Sequence, residues 1–136
     1  MFNKVLCIDD DNTTLTICKL VIAKAGFAKE VITAMNGKEG IDFFEKHAGD
    51  TDSGALPDIV FLDLNMPVMN GWDFLEEYAA QYADKLPDIK IVILSSTVNP
   101  EDFRKAAQLS IVTDFISKPI SVETLRELSE RLASKQ

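Results

Sequence analysis

The sequence predicts an α/β domain in which helices cover both faces of a doubly wound, five-stranded parallel sheet. Three observations carry the prediction. Nearly continuous apolar runs recur along the chain, as Val5-Leu6-Cys7-Ile8, Ile59-Val60-Phe61-Leu62 and Ile91-Val92-Ile93-Leu94. Runs of that length without polar alternation suit strands buried on both faces. Between them lie stretches with apolar residues at helical spacing, and strand and helix alternate, which implies parallel strands joined by right-handed crossovers. Finally, helix start and stop residues fall where that alternation needs them.

The first strand is expected at about residues 4–9 and its helix at about 13–26, with Leu15, Cys18, Val21, Ile22 and Ala25 on one face and Gly26 as the stop. Val31-Ile32-Thr33-Ala34 reads as the second strand. Asn36 can cap the next helix with Glu39 three residues on, and Ile41, Phe44 and Ala48 then face inward. Residues 49–57 are rich in turn formers and lack apolar periodicity, so they form a loop. The third strand ends at Asp63, and an irregular stretch from Leu64 to Gly71 leads to a helix at about 72–83 carrying Phe74, Leu75, Tyr78 and Tyr82. The fourth strand ends at Ser95. Asn99-Pro100-Glu101 supplies a cap, a proline at the first helical position and an acid in the first turn. A short fifth strand, Asp114 to Ser117, precedes a helix capped by Ser121 with an apolar stripe of Leu125, Leu128 and Leu132.

The 136 residues suffice for one domain with a real core, and residues 1–136 are read as a single unit. The 46% apolar content argues against disorder. No apolar run is long enough to span a bilayer, and Met1-Phe2-Asn3-Lys4 does not resemble a secretory leader, so a cytoplasmic location is expected. The net charge of −8, with dispersed Lys and Arg, disfavours direct nucleic-acid binding. Cys7 and Cys18 lie in apolar stretches and read as buried thiols. His47, the one histidine, reads as a solvated helix residue.

The polar residues at the strand ends carry the chemistry. In a parallel sheet of this kind the carboxyl ends of the strands line one crevice. Asp9, Asp10, Asp63, Ser95 and Lys118 would converge there. Three ionised carboxylates repel one another unless a cation joins them, and Mg²⁺ favours a hard oxygen shell. Lys118 can pair with an aspartate and with phosphoryl oxygens, and the following Pro119 biases its backbone toward extended geometry. Ser95 can donate a hydrogen bond to a phosphoryl oxygen, with the small Ser96 leaving room beside it.

The whole chain resembles a response regulator receiver domain of two-component signalling, of the flavodoxin-like (βα)5 type. The resemblance rests on Asp9-Asp10, on Asp63-Leu64-Asn65-Met66-Pro67-Val68-Met69-Asn70-Gly71, on Ser95-Ser96 and on Phe115-Ile116-Ser117-Lys118-Pro119. It departs from the family pattern mildly: Asn70 stands where Asp is common, Ser95 where Thr is common, Phe115 where Tyr is common, and the 49–57 loop is long. The resemblance implies that Asp63 is the phosphoacceptor, taking a phosphoryl group from a sensor histidine kinase or a histidine phosphotransfer protein. It implies Mg²⁺ held by Asp10 and Asp63 directly, by Asp9 through water and by the backbone carbonyl of Asn65. Lys118 would neutralise charge, while Ser95 and Phe115 would act as the switch read by a downstream protein on the face of the fourth helix, fifth strand and fifth helix. Asn65 and Thr97 would flank the path of hydrolytic water. It further implies self-phosphorylation and self-dephosphorylation only, with no enzyme activity on an external substrate, and a monomer or weak phosphorylation-dependent dimer.

Other classes fit less well. A haloacid-dehalogenase-like phosphotransferase wants a second aspartate two residues after the nucleophile, where Asn65 stands. A flavin binder needs a glycine- and hydroxyl-rich phosphate loop, and acids stand in its place. A binding module of the same fold that ignores phosphorylation remains the third alternative.

Overall fold

The computed structural model describes residues 2–50, 54–66 and 68–134. Part of the expected 49–57 loop, at 51–53, and Pro67 of the motif after the third strand lie outside the described residues. Ten elements alternate in order: β1 (Phe2–Ile8), α1 (Asn12–Ala25), β2 (Ala28–Ala34), α2 (Gly37–His47), β3 (Ile59–Leu62), α3 (Gly71–Gln81), β4 (Lys90–Ser95), α4 (Pro100–Gln108), β5 (Val112–Ser117) and α5 (Val122–Ser134). All pairings are parallel and the strand order is β2-β1-β3-β4-β5. The expected doubly wound sheet is therefore the observed one.

Local chemistry sets the boundaries. Asp11 caps α1 by accepting from the Thr13 N–H at 2.9 Å, and Gly26 ends it in the left-handed region at φ 63°. Asn36 accepts from the Glu39 N–H at 2.9 Å, while Glu39 reaches back to the Met35 N–H at 3.0 Å. The expected capping residue is thus right, although Glu39 grips the residue before the cap. Asn70, Asn99 and Ser121 cap α3, α4 and α5 in the same manner, each through a side-chain oxygen. Three strands begin earlier than expected, the first of them β1, at Phe2 rather than about residue 4. β2 starts at Ala28 because Phe2 pairs with it in register, and β5 starts at Val112 opposite Ile91. β2 and β5 are edge strands, where polar residues such as Lys29 and Glu30 face water and hide the strand pattern.

Alternation within each strand divides the core in two. Val5 and Cys7 of β1, Ile59 and Phe61 of β3, and Val92 and Leu94 of β4 pack with Leu15, Cys18 and Ile22 of α1 and Leu125, Leu128 and Leu132 of α5. Leu6, Ile8, Val60, Leu62, Ile91 and Ile93 face the other way. They pack with Ile41 and Phe44 of α2, Phe74, Leu75 and Tyr78 of α3, and Ala106 of α4. Phe44 is fully buried in an aromatic cluster, its ring 5.0 Å from Tyr78 and 5.8 Å from Tyr82. Ala106 is the sole buried residue of α4, whose exposed side also carries Lys105 with its ammonium 4.5 Å from the Trp72 ring. Cys7 and Cys18 are free buried thiols, as expected.

One expectation holds only in part. His47 is half-buried rather than freely solvated: its ring lies against Phe43 with centroids 4.7 Å apart, and its Nδ1 is 3.6 Å from Asp50 Oδ2. Phe43 sits one helical turn before it and packs against one side of the ring.

Candidate functional site

The strand order reverses between β1 and β3, so the residues leaving these strands meet at the carboxyl edge. The Asp9 N–H donates to the Ala34 carbonyl and the Asp63 N–H to the Ile8 carbonyl, each at 3.0 Å. Ladder bonds thus fix both aspartates just beyond the last strand residue. Oxygens of Asp9, Asp10 and Asp63 all lie within 4.8 Å of one another. Asp9 and Asp63 are 4% and 6% exposed, while Asp10 faces solvent.

Lys118 answers this negative charge. Its backbone N–H donates to the Ser95 carbonyl at 2.9 Å, and the Lys118–Pro119 peptide is cis. Its Nζ stands 2.6 Å from Asp9 Oδ2 and 3.5 Å from Asp63 Oδ1. Burial pushes the Asp63 carboxyl above its ordinary pKa and the Asp9 charge adds to the rise; Lys118 and a hydrogen bond from the Asn65 backbone oppose it. For Lys118, burial acts to lower the pKa, but the hydrogen bond to Asp9 and the charge of Asp63 outweigh it and leave the pKa raised. Lys118 therefore stays a cation with a second acid within reach. The donor set fits a hard divalent ion: carboxylate oxygens converge, and one of the acids opens to water.

The expected site residues divide into those joined at the acids and those set behind them. Asp9, Asp10, Asp63 and Lys118 are together, and the backbone of Asn65 touches Asp63. Ser95 is fully buried at the end of β4, the strand beside β3, and its hydroxyl accepts from the Thr97 N–H at 3.2 Å. Phe115 is half-buried on β5 with its ring 4.4 Å from that of Phe103 on α4.

Sequence reasoning missed two supports. A Cβ on Gly71 would meet the Asp63 carbonyl oxygen and would stand 2.8 Å from Leu64 Cα, so only glycine lets α3 start this close to the acceptor. Gly37 donates to the Met69 carbonyl at 3.1 Å, which ties the start of α2 to the loop after Asp63. Gly71 was visible as part of a motif, but its steric reason was not.

The family model for the response regulator receiver domain matches residues 5–130. The chain belongs to that family. A two-component response regulator from Cytophaga hutchinsonii superposes with a TM-score of 0.87 at 25% identity, covering 98% of each chain. Chemotaxis protein CheY1 of Helicobacter pylori is 27% identical over 127 residues, covering 93% of this chain and 94% of that protein. Sensor histidine kinase CheAY of Helicobacter pylori is 29% identical over 127 residues. That match covers 93% of this chain but only 14% of CheAY, so this receiver domain spans a small part of that relative. Receiver domains are signalling units, and relatives of this one sit in histidine-kinase-linked systems. Among the described residues, no helix is long and apolar enough to cross a membrane.

Proposed function

We propose that this receiver domain accepts a phosphoryl group on Asp63 from the phosphohistidine of a sensor histidine kinase or phosphotransfer protein. The observation that carries the reading is the setting of Asp63: a buried carboxylate beside Asp9, with the Lys118 ammonium 3.5 Å away. One Asp63 oxygen attacks phosphorus, the bond from phosphorus to the imidazole nitrogen breaks, and the imidazole leaves as the acyl phosphate forms. Transfer of this kind needs positioning and charge neutralisation more than acid–base work.

The chain's own groups divide that work. Asp10 and Asp63 would hold Mg²⁺ directly, Asp9 through water, and the Asn65 carbonyl would complete the protein ligands. Mg²⁺, when bound, neutralises charge on the phosphoryl oxygens. Lys118 exchanges part of its contact with the acids for a phosphoryl oxygen. Ser95 turns its hydroxyl toward the same group, and Phe115 turns inward into the space released. The result is a shift between two packings, read by a downstream protein on the face of α4, β5 and α5. The domain turns over no external substrate. It acts in the cytoplasm as a monomer or weak phosphorylation-dependent dimer, without direct contact to nucleic acid.

Intact mass after incubation with acetyl phosphate tests the reading, with and without Mg²⁺ and beside Asp63→Asn. A single Mg²⁺-dependent phosphoryl adduct, lost in the variant, supports it. An adduct that persists in the variant moves the acceptor elsewhere, and no adduct favours a module that works without phosphorylation. Ser95→Ala should still take the phosphoryl group but activate its partner less; normal activation would remove Ser95 from the switch.

A further inference from the structure

Between the end of β4 at Ser95 and the start of α4 at Pro100, side chains step the backbone along two residues at a time. The Thr97 N–H donates to Ser95 Oγ at 3.2 Å, the Asn99 N–H to Thr97 Oγ1 at 3.2 Å, and the Glu101 N–H to Asn99 Oδ1 at 3.0 Å. Two bonds join this series to Asp102 of the helix: the Asp102 N–H donates to the Asn99 carbonyl at 3.0 Å, and the Thr97 hydroxyl donates to Asp102 Oδ2 at 2.6 Å. The direction of the second is fixed, because a carboxylate accepts, and a hydroxyl that gives its single hydrogen there is left to accept from Asn99. Bonds to ionised acceptors are the short, strong ones. Thr97 and Asp102 are also half-buried while Ser96, Val98, Asn99, Pro100 and Glu101 are exposed, so this tie is the inward-facing part of the connection.

Ser95 sits at the other end of the series. In the proposed reaction Ser95 turns toward a phosphoryl group on Asp63; that turn carries its Oγ away from the Thr97 N–H, and the amide belongs to a residue clamped by Asp102. We infer that Asp102 is a positioning residue for the receiver reaction. It acts through Thr97 to hold Ser95 in its withdrawn position, and so sets the fraction of unphosphorylated protein that presents the hydroxyl to the acceptor. The inference rests on the reading of Asp63 as acceptor and Ser95 as the group that moves toward it.

The test uses beryllofluoride with Mg²⁺ as a non-covalent phosphoryl probe, titrated calorimetrically into the purified chain. A ligand that binds only the advanced arrangement gains affinity as the withdrawn one is weakened. Asp102→Ala should bind about tenfold tighter, the effect of losing one hydrogen bond to a charged group. Thr97→Val removes the same bond from outside the helix and should match it, and the double variant should bind no tighter than either. Asp102→Asn, which keeps an acceptor oxygen, should return most of the way to wild type. In a Ser95→Ala background the Asp102→Ala gain should vanish, a result that a general loosening of α4 would not produce.

Unchanged or weaker binding by Asp102→Ala and Thr97→Val overturns the inference, as does a gain that survives in Ser95→Ala. If Asp102→Ala does not fold, Thr97→Val decides the matter alone. Wild type that shows no binding dependent on both Mg²⁺ and Asp63 would remove the acceptor reading and this inference together. Normal wild-type binding with unaltered variants removes the inference only.

Discussion

Removing the charge of the acceptor should make the metal-free protein more stable, and the reason lies in the balance of charges around Asp63. At an effective dielectric of about 20, repulsion from Asp9 at the 4.8 Å limit amounts to about 3.5 kcal/mol. Attraction to Lys118 at 3.5 Å amounts to about 4.7 kcal/mol. Asp10 is exposed and adds about 1 kcal/mol of screened repulsion. These terms nearly offset, so the cost of burying the carboxylate decides the sign, in agreement with its raised pKa. Asp63→Asn also leaves no orphan, because Lys118 keeps its 2.6 Å contact with Asp9.

The variant should therefore gain about 1 kcal/mol at pH 7 in EDTA, a rise in Tm of about 3 °C. The sign with pH follows from linkage. A carboxyl whose folded pKa is raised above the reference value of 3.8 has its contribution fully present below that value and loses it as pH rises through the folded pKa. The advantage of Asp63→Asn should thus be absent below pH 3.8, grow as pH rises through the folded pKa and level off above it. Adding Mg²⁺ should narrow the gap by stabilising wild type more than the variant. Denaturant melts at several pH values check this. A variant that is less stable at pH 7 in EDTA, or a difference that ignores pH, would refute the charge argument.

Three further perturbations probe the scaffold. Val68 holds φ 68° while 81% exposed, a left-handed backbone that a β-branched residue adopts at a cost of about 1–2 kcal/mol. Val68→Asn should raise stability by about 1 kcal/mol in urea titration. Gly71→Ala forces its new methyl onto the backbone at Asp63 and Leu64, and should cost about 3 kcal/mol and slow adduct formation from acetyl phosphate at least tenfold. Phe44→Ala empties the centre of the aromatic cluster and should cost about 3–5 kcal/mol in urea. Its folded fraction should still take up the phosphoryl group, since Phe44 lies among α2 and α3 side chains rather than at the acids.

What could be read in the sequence, and what could not, divides by the range of the interaction. β1, β3 and β4 were legible because strands buried on both faces are written as unbroken apolar runs. The starts of β2 and β5 were not, because edge strands tolerate Lys29, Glu30 and Thr113. Asp9, Asp10, Asp63 and Lys118 were legible as a group because strand ends in a parallel sheet must share an edge. The contact of His47 with Phe43 had a signal in their i, i+4 spacing. The closeness of Gly71 to Asp63 and the grip of Asp102 on Thr97 had none, since each depends on how one loop folds back.

The division of the core by the sheet has a consequence for how such a domain can diverge. α4 and α5 flank the same edge strand yet belong to opposite layers, α4 with α2 and α3, α5 with α1. The two layers share no buried side chain, so the residues beneath α4 are distinct from those beneath α1 and α5. Asp9 and Asp63 hang from β1 and β3, strands that carry side chains into both layers. Surface changes on α4 can thus recruit a partner without repacking the side chains under α1 and α5, while Asp102 keeps that helix tied to the loop after Ser95.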